Sequence, residues 1–368
     1  MPKYSFIVPV YNGENTIEET IRSIQSQSYQ DFELIVVDNN SNDKTAEKVS
    51  QFSGVRSYFC KKRGRSIARN LGAEKATGTY LAFVDADVLL SKDWLDQVDR
   101  YLQEFPLDAV STKIVPYSAN QTILNEYRKI YGAWKTDGTF LNLRQPKAAV
   151  VPLINTAACV LSRHSFEKVG GFDRNLVRQE DLDLSIRMFK AGYLLGGTSR
   201  AKARVQFEIN SNLPLADYIA YLTRAFEIRL HGLWPVSFKA LLNMDFCLEM
   251  LWRKRDPRLL LLAFGVEAAS ISGYLVGRLR KPSFNWKQQR GPNALIFCFS
   301  YRGKAYYLKR GLNFIFVDQE IFLITEDFHS RRLDGKDRAV LMALVANGKV
   351  SSTARKRLVE MGLFSPVR

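Results

Sequence analysis

The sequence predicts an α/β fold: a mostly parallel sheet with helices on both faces, followed by a helical extension and a small α+β module. Three observations lead there. Short β-rich apolar runs alternate with helix-like segments from Tyr4 to about residue 200, the pattern of right-handed βαβ units. Polar clusters follow the carboxyl ends of those runs, where open α/β sheets bind ligands. The composition, 46% hydrophobic and 24% charged, is that of a globular chain.

Tyr4–Val10 reads as the first strand, followed by the turn-like stretch Tyr11 to Glu14. A helix then starts at Asn15 or Thr16, with Glu18 and Glu19 in its first turn and Ile17, Ile21 and Ile24 on one face. Phe32–Val37 is the second strand and ends on Asp38, Asn39 and Asn40; a helix begins near Lys44. Ser57–Cys60 is a short third strand. A basic loop from Lys61 to Arg65 leads into the helix Ser66–Ala76, and Thr79–Val84 is the next strand.

That strand runs into Asp85 and Asp87. In extended chain, residues i and i+2 share a side, so the two carboxylates would leave the strand side by side. They would repel each other unless a cation lay between them, and hard divalent ions such as Mg²⁺ take oxygen ligands of this kind. Turn chemistry is the competing reading of the triplet, since Asp favours turns.

Further on, a helix runs from Trp94 to about Phe105, a strand covers Ala109–Val115 and a helix-prone segment lies near Ile123–Trp134. Ile154–Leu161 reads as a strand and Ser165–Val169 as a short helix. Gln179 to Gly192 reads as a helix, acidic at its start with Glu180, Asp181 and Asp183. Residues 213–277 look helical and amphipathic. Leu259–Gly277 is apolar apart from Glu267 and has basic flanks on both sides, which suits an interfacial helix on anionic lipid better than a membrane span. In 291–368, four apolar or alternating segments (Ala294–Ser300, Lys304–Leu308, Phe314–Val317, Ile321–Thr325) and two helices (Asp337–Ala346, and Ser351 or Ser352 to Met361) suggest a winged-helix-like or peptide-recognition-like module. The expected division is therefore 1–235, 236–290 and 291–368.

Net charge is +16 overall. Residues 1–200 hold 26 Lys+Arg against 23 Asp+Glu, and residues 201–368 hold 27 against 14. A basic second half suits an anionic partner such as a membrane surface. Zinc-finger spacing, paired sheet aromatics and a basic region leading into heptads are missing, which disfavours nucleic acid. The four cysteines have no metal-ligand spacing, and Met1 runs directly into the first strand without a leader pattern. Reduced thiols and a cytoplasmic location, peripheral to the inner face of the membrane, are expected.

Six stretches, in order, resemble the inverting family 2 glycosyltransferases of the GT-A fold: Ile7–Asn12, Val36–Asp43, Ala68–Gly72, Asp85–Asp87, Gly170–Asp173, and Glu180 and Asp181 with Arg187. The resemblance covers residues 4 to about 200 and finds nothing comparable in 291–368. It implies transfer of a sugar from a nucleotide-diphosphate sugar, with a UDP-sugar favoured, to a hydroxyl acceptor such as a lipid-linked glycan in polysaccharide synthesis. Pro9, Tyr11, Asn12, Glu14, Asp38 and Asn40 would line the nucleoside. Arg65, Arg69 and Asn70 would lie near the donor phosphates, and Asn155 and Thr156 near the sugar. Asp85 and Asp87 would hold Mn²⁺ or Mg²⁺ on the diphosphate. Asp181 would act as general base with Glu180 in support. Relatives often carry a His after the acidic helix; here Ala203–Ile209 has none, which leaves a third metal ligand to water or Glu208. The rival readings are a nucleotidyltransferase, which lacks the Gly-rich phosphate loop it would need after the first strand, and a non-catalytic sugar-nucleotide or peptide-binding protein.

Overall fold

A computed structural model describes residues 1–117, 154–176, 180–206, 298–301, 304–309, 312–325, 330–347 and 350–366. The helical expectations for 123–134 and 213–277, and the domain limits at 235 and 290, lie outside the described residues. The described chain alternates as the sequence predicts. It runs β1 (Tyr4–Val10), α1 (Ile17–Gln25), β2 (Phe32–Asp38), α2 (Thr45–Ser50), β3 (Val55–Phe59), α3 (Arg65–Lys75) and β4 (Tyr80–Val84). There follow β5 (Val88–Leu90), α4 (Trp94–Glu104), β6 (Ala109–Tyr117), β7 (Ala158–Ser162), α5 (Arg163–Lys168), α6 (Glu180–Lys190) and β8 (Leu195–Gln206).

The central sheet has the order β3-β2-β1-β4-β7-β6-β8, with β5 added to β8. Pairs β1/β2, β2/β3, β1/β4 and β6/β8 are parallel; β4/β7, β6/β7 and β5/β8 are antiparallel. This is the mixed, mostly parallel α/β class expected. Both faces are packed. Tyr4, Phe6, Val8, Ile21, Ile24, Val98 and Trp94 belong to the core on the α1/α4 side. Ile7, Ile35, Val37, Ala68, Phe83, Leu184 and Met188 form the core on the α3/α6 side. Alternate residues of β1 thus enter different cores, as the period of two requires.

β5 and β8 lie outside the strands that the sequence pattern predicts. β5 is three residues long, and β8 opens on Gly196 and Gly197 and continues with alternating Lys and Arg, which disguises a strand. A Cβ on Gly196 would lie 2.5 Å from a Leu107 methyl, so the close approach here requires glycine.

The C-terminal residues contain β9 (Cys298–Tyr301), β10 (Lys304–Leu308), β11 (Leu312–Val317), β12 (Glu320–Thr325), β13 (Ser330–Arg332), α7 (Gly335–Asn347), α8 (Ser352–Glu360) and β14 (Phe364–Pro366). β9, β10 and β14 form a small separate sheet, whereas β11, β12 and β13 continue the central one. Leu195–Gly197 pair in parallel with Ile315–Val317, so the sheet crosses the boundary expected at 290/291. β8 otherwise has an open edge there, and buried backbone groups need partners. Asp318 fastens the junction: its carboxylate accepts from Thr198 Oγ1 (3.1 Å), Ser199 N (2.8 Å) and Ser199 Oγ (2.9 Å). Among the described residues no helix is long and apolar enough to cross a membrane.

Candidate active site

The loops after β1 and β2 are stitched together by their own side chains. Asn12 (φ 50) and Asn40 (φ 64) adopt the left-handed conformation that Asn tolerates. The Asn12 amide donates to Ser41 Oγ (3.0 Å), and Asn12 Oδ1 accepts from Asn42 N (3.0 Å). Glu14 N donates to Asp43 Oδ2 (3.1 Å), and Glu14 Oε2 accepts from Lys44 N (3.1 Å). One Asp38 oxygen accepts from Ser41 N (2.9 Å), and the residue is buried. Pro9 is half-buried, in register with Val37. Tyr11 is 45% exposed, with the Arg63 guanidinium 4.3 Å above its ring. Burial would raise the Asp43 pKa, but hydrogen bonds from Thr45, Glu14 and its own backbone outweigh it and hold the carboxyl below its ordinary value.

α3 lies close on β1: a Cβ on Gly72 would come 2.4 Å from an Ile7 methyl. That approach sinks Arg69 into the protein, with its side chain 1% exposed. Its Nη2 donates to Asp85 Oδ1 and its Nη1 to Glu180 Oε1, both at 2.6 Å. The guanidinium lies 5.5 Å from the Phe172 ring centroid, and Nε is buried without a hydrogen-bond partner. Burial would lower its pKa; Asp85 and Glu180 outweigh that and keep it charged. Arg69 thus bridges two carboxylates that are 95 residues apart in the chain. Its position was readable: Ser66, Arg69 and Ala73 share the buried face of α3 at helical spacing.

Asn70 is also engaged inward. Its Nδ2 donates to Phe172 O (2.7 Å), and its Oδ1 accepts from Phe172 N (2.9 Å), which fixes the loop ahead of α6. Arg65, the first residue of α3, is exposed.

The Asp85–Asp87 triplet is a turn, closed by Val88 N donating to Asp85 O (3.1 Å). The extended geometry read from sequence is corrected, because β4 stops at Val84 and β5 restarts at Val88. The turn is fixed from both sides: Asp85 N donates to Ala157 O (3.0 Å), and Thr20 Oγ1 on α1 donates to Ala86 O (2.9 Å). The Arg69 guanidinium is a cation that the fold itself sets on Asp85. Among the described residues, no group of three or more His, Cys, Asp or Glu side chains forms a metal cage.

α6 opens with Glu180, Asp181 and Asp183 in its first turn, the favourable end of its dipole. Glu180 is buried and Asp181 half-buried. Ser185 Oγ donates to Asp181 O (2.5 Å) and accepts from Ile154 N (2.8 Å). Asn155 N donates to Ser111 Oγ (3.2 Å), and Thr156 is buried. Cys159 on β7 sits among these groups: burial pushes its thiol pKa well up, with the charges of Arg69, Asp85 and Asp181 acting on it. Asp85, Glu180, Asp181 and Arg69 are thus brought together, while Asn12, Glu14, Asp38 and Asn40 form the neighbouring rim and Asn70 supports from behind.

Residues 5–170 match the family model described as glycosyl transferase family 2. An uncharacterized glycosyltransferase of Haemophilus influenzae is 39% identical over 102 residues, 26% of this chain and 41% of that protein. The amylovoran biosynthesis glycosyltransferase AmsB of Erwinia amylovora is 30% identical over 197 residues, 52% of this chain and 65% of that protein. The chain thus spans less than two thirds of these relatives' lengths. The mannosyltransferase PcManGT from Pyrobaculum calidifontis, in complex with GDP-Man and Mn²⁺, has a TM-score of 0.47 and 20% identity over 75% of this chain and 74% of that one.

Proposed function

We propose, from the match of residues 5–170 to the glycosyl transferase family 2 model, that the chain transfers a sugar from a nucleotide-diphosphate sugar to an acceptor hydroxyl with inversion. The observation that carries this reading is the Arg69 bridge, which joins the carboxylate following β4 to the acidic start of α6. Transfer needs a site that holds the leaving diphosphate and a base facing it. Asp85 and Asp87 supply the first and α6 the second. Arg69 holds Glu180 as a paired carboxylate, so the base is Asp181 and Glu180 positions it.

Asp85 and Asp87 offer oxygen donors of the kind that Mn²⁺ and Mg²⁺ take, and Arg69 occupies only one Asp85 oxygen. Such an ion, when bound, neutralises charge developing on the nucleoside diphosphate. Asp38 and the Asn12/Glu14 rim would receive the nucleoside, with a UDP-sugar favoured. AmsB is named for amylovoran biosynthesis, which supports a polysaccharide acceptor. The basic second half supports work at an anionic membrane surface.

The test is donor turnover with a panel of nucleotide sugars and Mn²⁺. Asp181→Ala should lose about 10²–10⁴-fold in transfer, the typical worth of a general base. Asp87→Ala should lose activity and metal dependence together. Unchanged turnover in both variants would sink the reading.

A further inference from the structure

β5, β8 and β6 form a three-stranded patch beginning one residue after Asp87, and its two faces differ sharply. Leu89, Arg204 and Val115 lie in register across it, and Lys202 pairs with Lys113 two residues along. The intervening residues Val88, Leu90, Ala203, Val205 and Ile114 all enter the core on the α1/α4 side. By alternation, Leu89, Arg204, Lys202, Lys113, Val115 and Tyr117 face the other side, the side on which α3 and α6 pack. The patch and the helix carrying Glu180 and Asp181 therefore share one side of the sheet.

Those six positions carry three cations and no carboxylate. Lys202 and Arg204 are exposed, Val115 is 38% exposed and Tyr117 51%. On the same side, Ser111 of β6 holds Asn155, and Ser185 of α6 holds Ile154, so the patch continues from the loop that borders the candidate base.

We propose that this face is the acceptor subsite and that it takes an acidic saccharide, one bearing carboxylates on sugar rings beside the reacting hydroxyl. The exposed Lys202 and Arg204 would pair with the acid groups, and the Tyr117 ring would cover a sugar face. Leu89, Val115 and Tyr117 give the face an apolar part that suits a sugar ring. This rests on the transferase reading above and adds the acceptor's chemistry to it.

The test uses the full chain and four probes: a tetragalacturonate, its neutral methyl ester, farnesyl diphosphate, and UDP with Mn²⁺. The tetragalacturonate should bind at least tenfold tighter than the ester, less so at high salt. Lys202→Glu with Arg204→Glu should remove that preference and leave UDP binding unchanged. Arg331→Glu with Lys336→Glu, an equal charge change on an exposed surface elsewhere, should leave tetragalacturonate binding intact. The milder Lys202→Gln with Arg204→Gln should give an intermediate loss and guards against a folding defect. Equal binding of acid and ester, equal loss in the control variant, or farnesyl diphosphate competing through Lys202 and Arg204 would overturn the proposal. Failure of the wild-type chain to bind UDP with Mn²⁺, with its saccharide preference present, would instead count against the transferase reading.

Discussion

The rim after β1 and β2 and the bridge between α3 and α6 both fix polar residues at strand ends, by opposite means. The rim uses short-range, neutral or singly charged hydrogen bonds from side chains to neighbouring backbone, near solvent. The bridge uses one buried guanidinium between two carboxylates from distant parts of the chain. The rim therefore shares its load over Asn12, Glu14, Ser41, Asp43 and Thr45, while the bridge depends on Arg69 alone. A substitution in the rim should loosen it locally; one in the bridge should disconnect the donor end of the site from the acceptor end.

Breaking the bridge should have the largest effect. Arg69→Met leaves Glu180 buried without its cation, a change that typically costs about 3–5 kcal/mol; urea unfolding should show it. Arg69→Lys keeps the charge but loses the two-pronged geometry, and should fall between Met and wild type. Equal losses in the two variants would reduce Arg69 to a packing residue. In the rim, Asn12→Ala removes the acceptor for Asn42 N and leaves a non-glycine residue at φ 50, worth about 1–3 kcal/mol. Asn12→Gly relieves the backbone part only, so it should lose less, and a larger loss in Gly than in Ala would contradict this account. The smallest effect is that of acid. The folded-state pKa of Asp43 lies below its unfolded value, so its contribution to stability is full above the unfolded value, about 3.9, and is lost as pH falls through the lower folded value. Asp43→Asn should flatten the pH dependence of the unfolding midpoint in that window; an unchanged profile would remove the rim carboxylate from the comparison.

How much was legible in the sequence follows the same division. Tyr4–Val10 and Lys304–Leu308 carry their own period and were bounded correctly, and Asp85, Asp87, Glu180 and Asp181 were picked out as a carboxylate group. The ion pairs of Arg69 with Asp85 and Glu180, and the hold of Asn70 on Phe172, are not legible in one dimension, because they join α3 to residues that lie 16 to 111 positions away. β8 stayed hidden because its partners on either edge, β6 and β11, lie about 80 to 110 residues away, and pairing rather than propensity makes it a strand.

The attachment of β11 to β8 also has a consequence for timing. Among the described residues, the sheet edge at Leu195–Gly197 receives its neighbour only when Ile315–Val317 have been made. At a synthesis rate of 5–20 residues per second, that leaves roughly 6–24 s during which a nascent chain carries every catalytic candidate yet an unfinished sheet. An unpaired edge invites pairing with another chain, so β11 also acts as the closure that ends this vulnerable period on the ribosome.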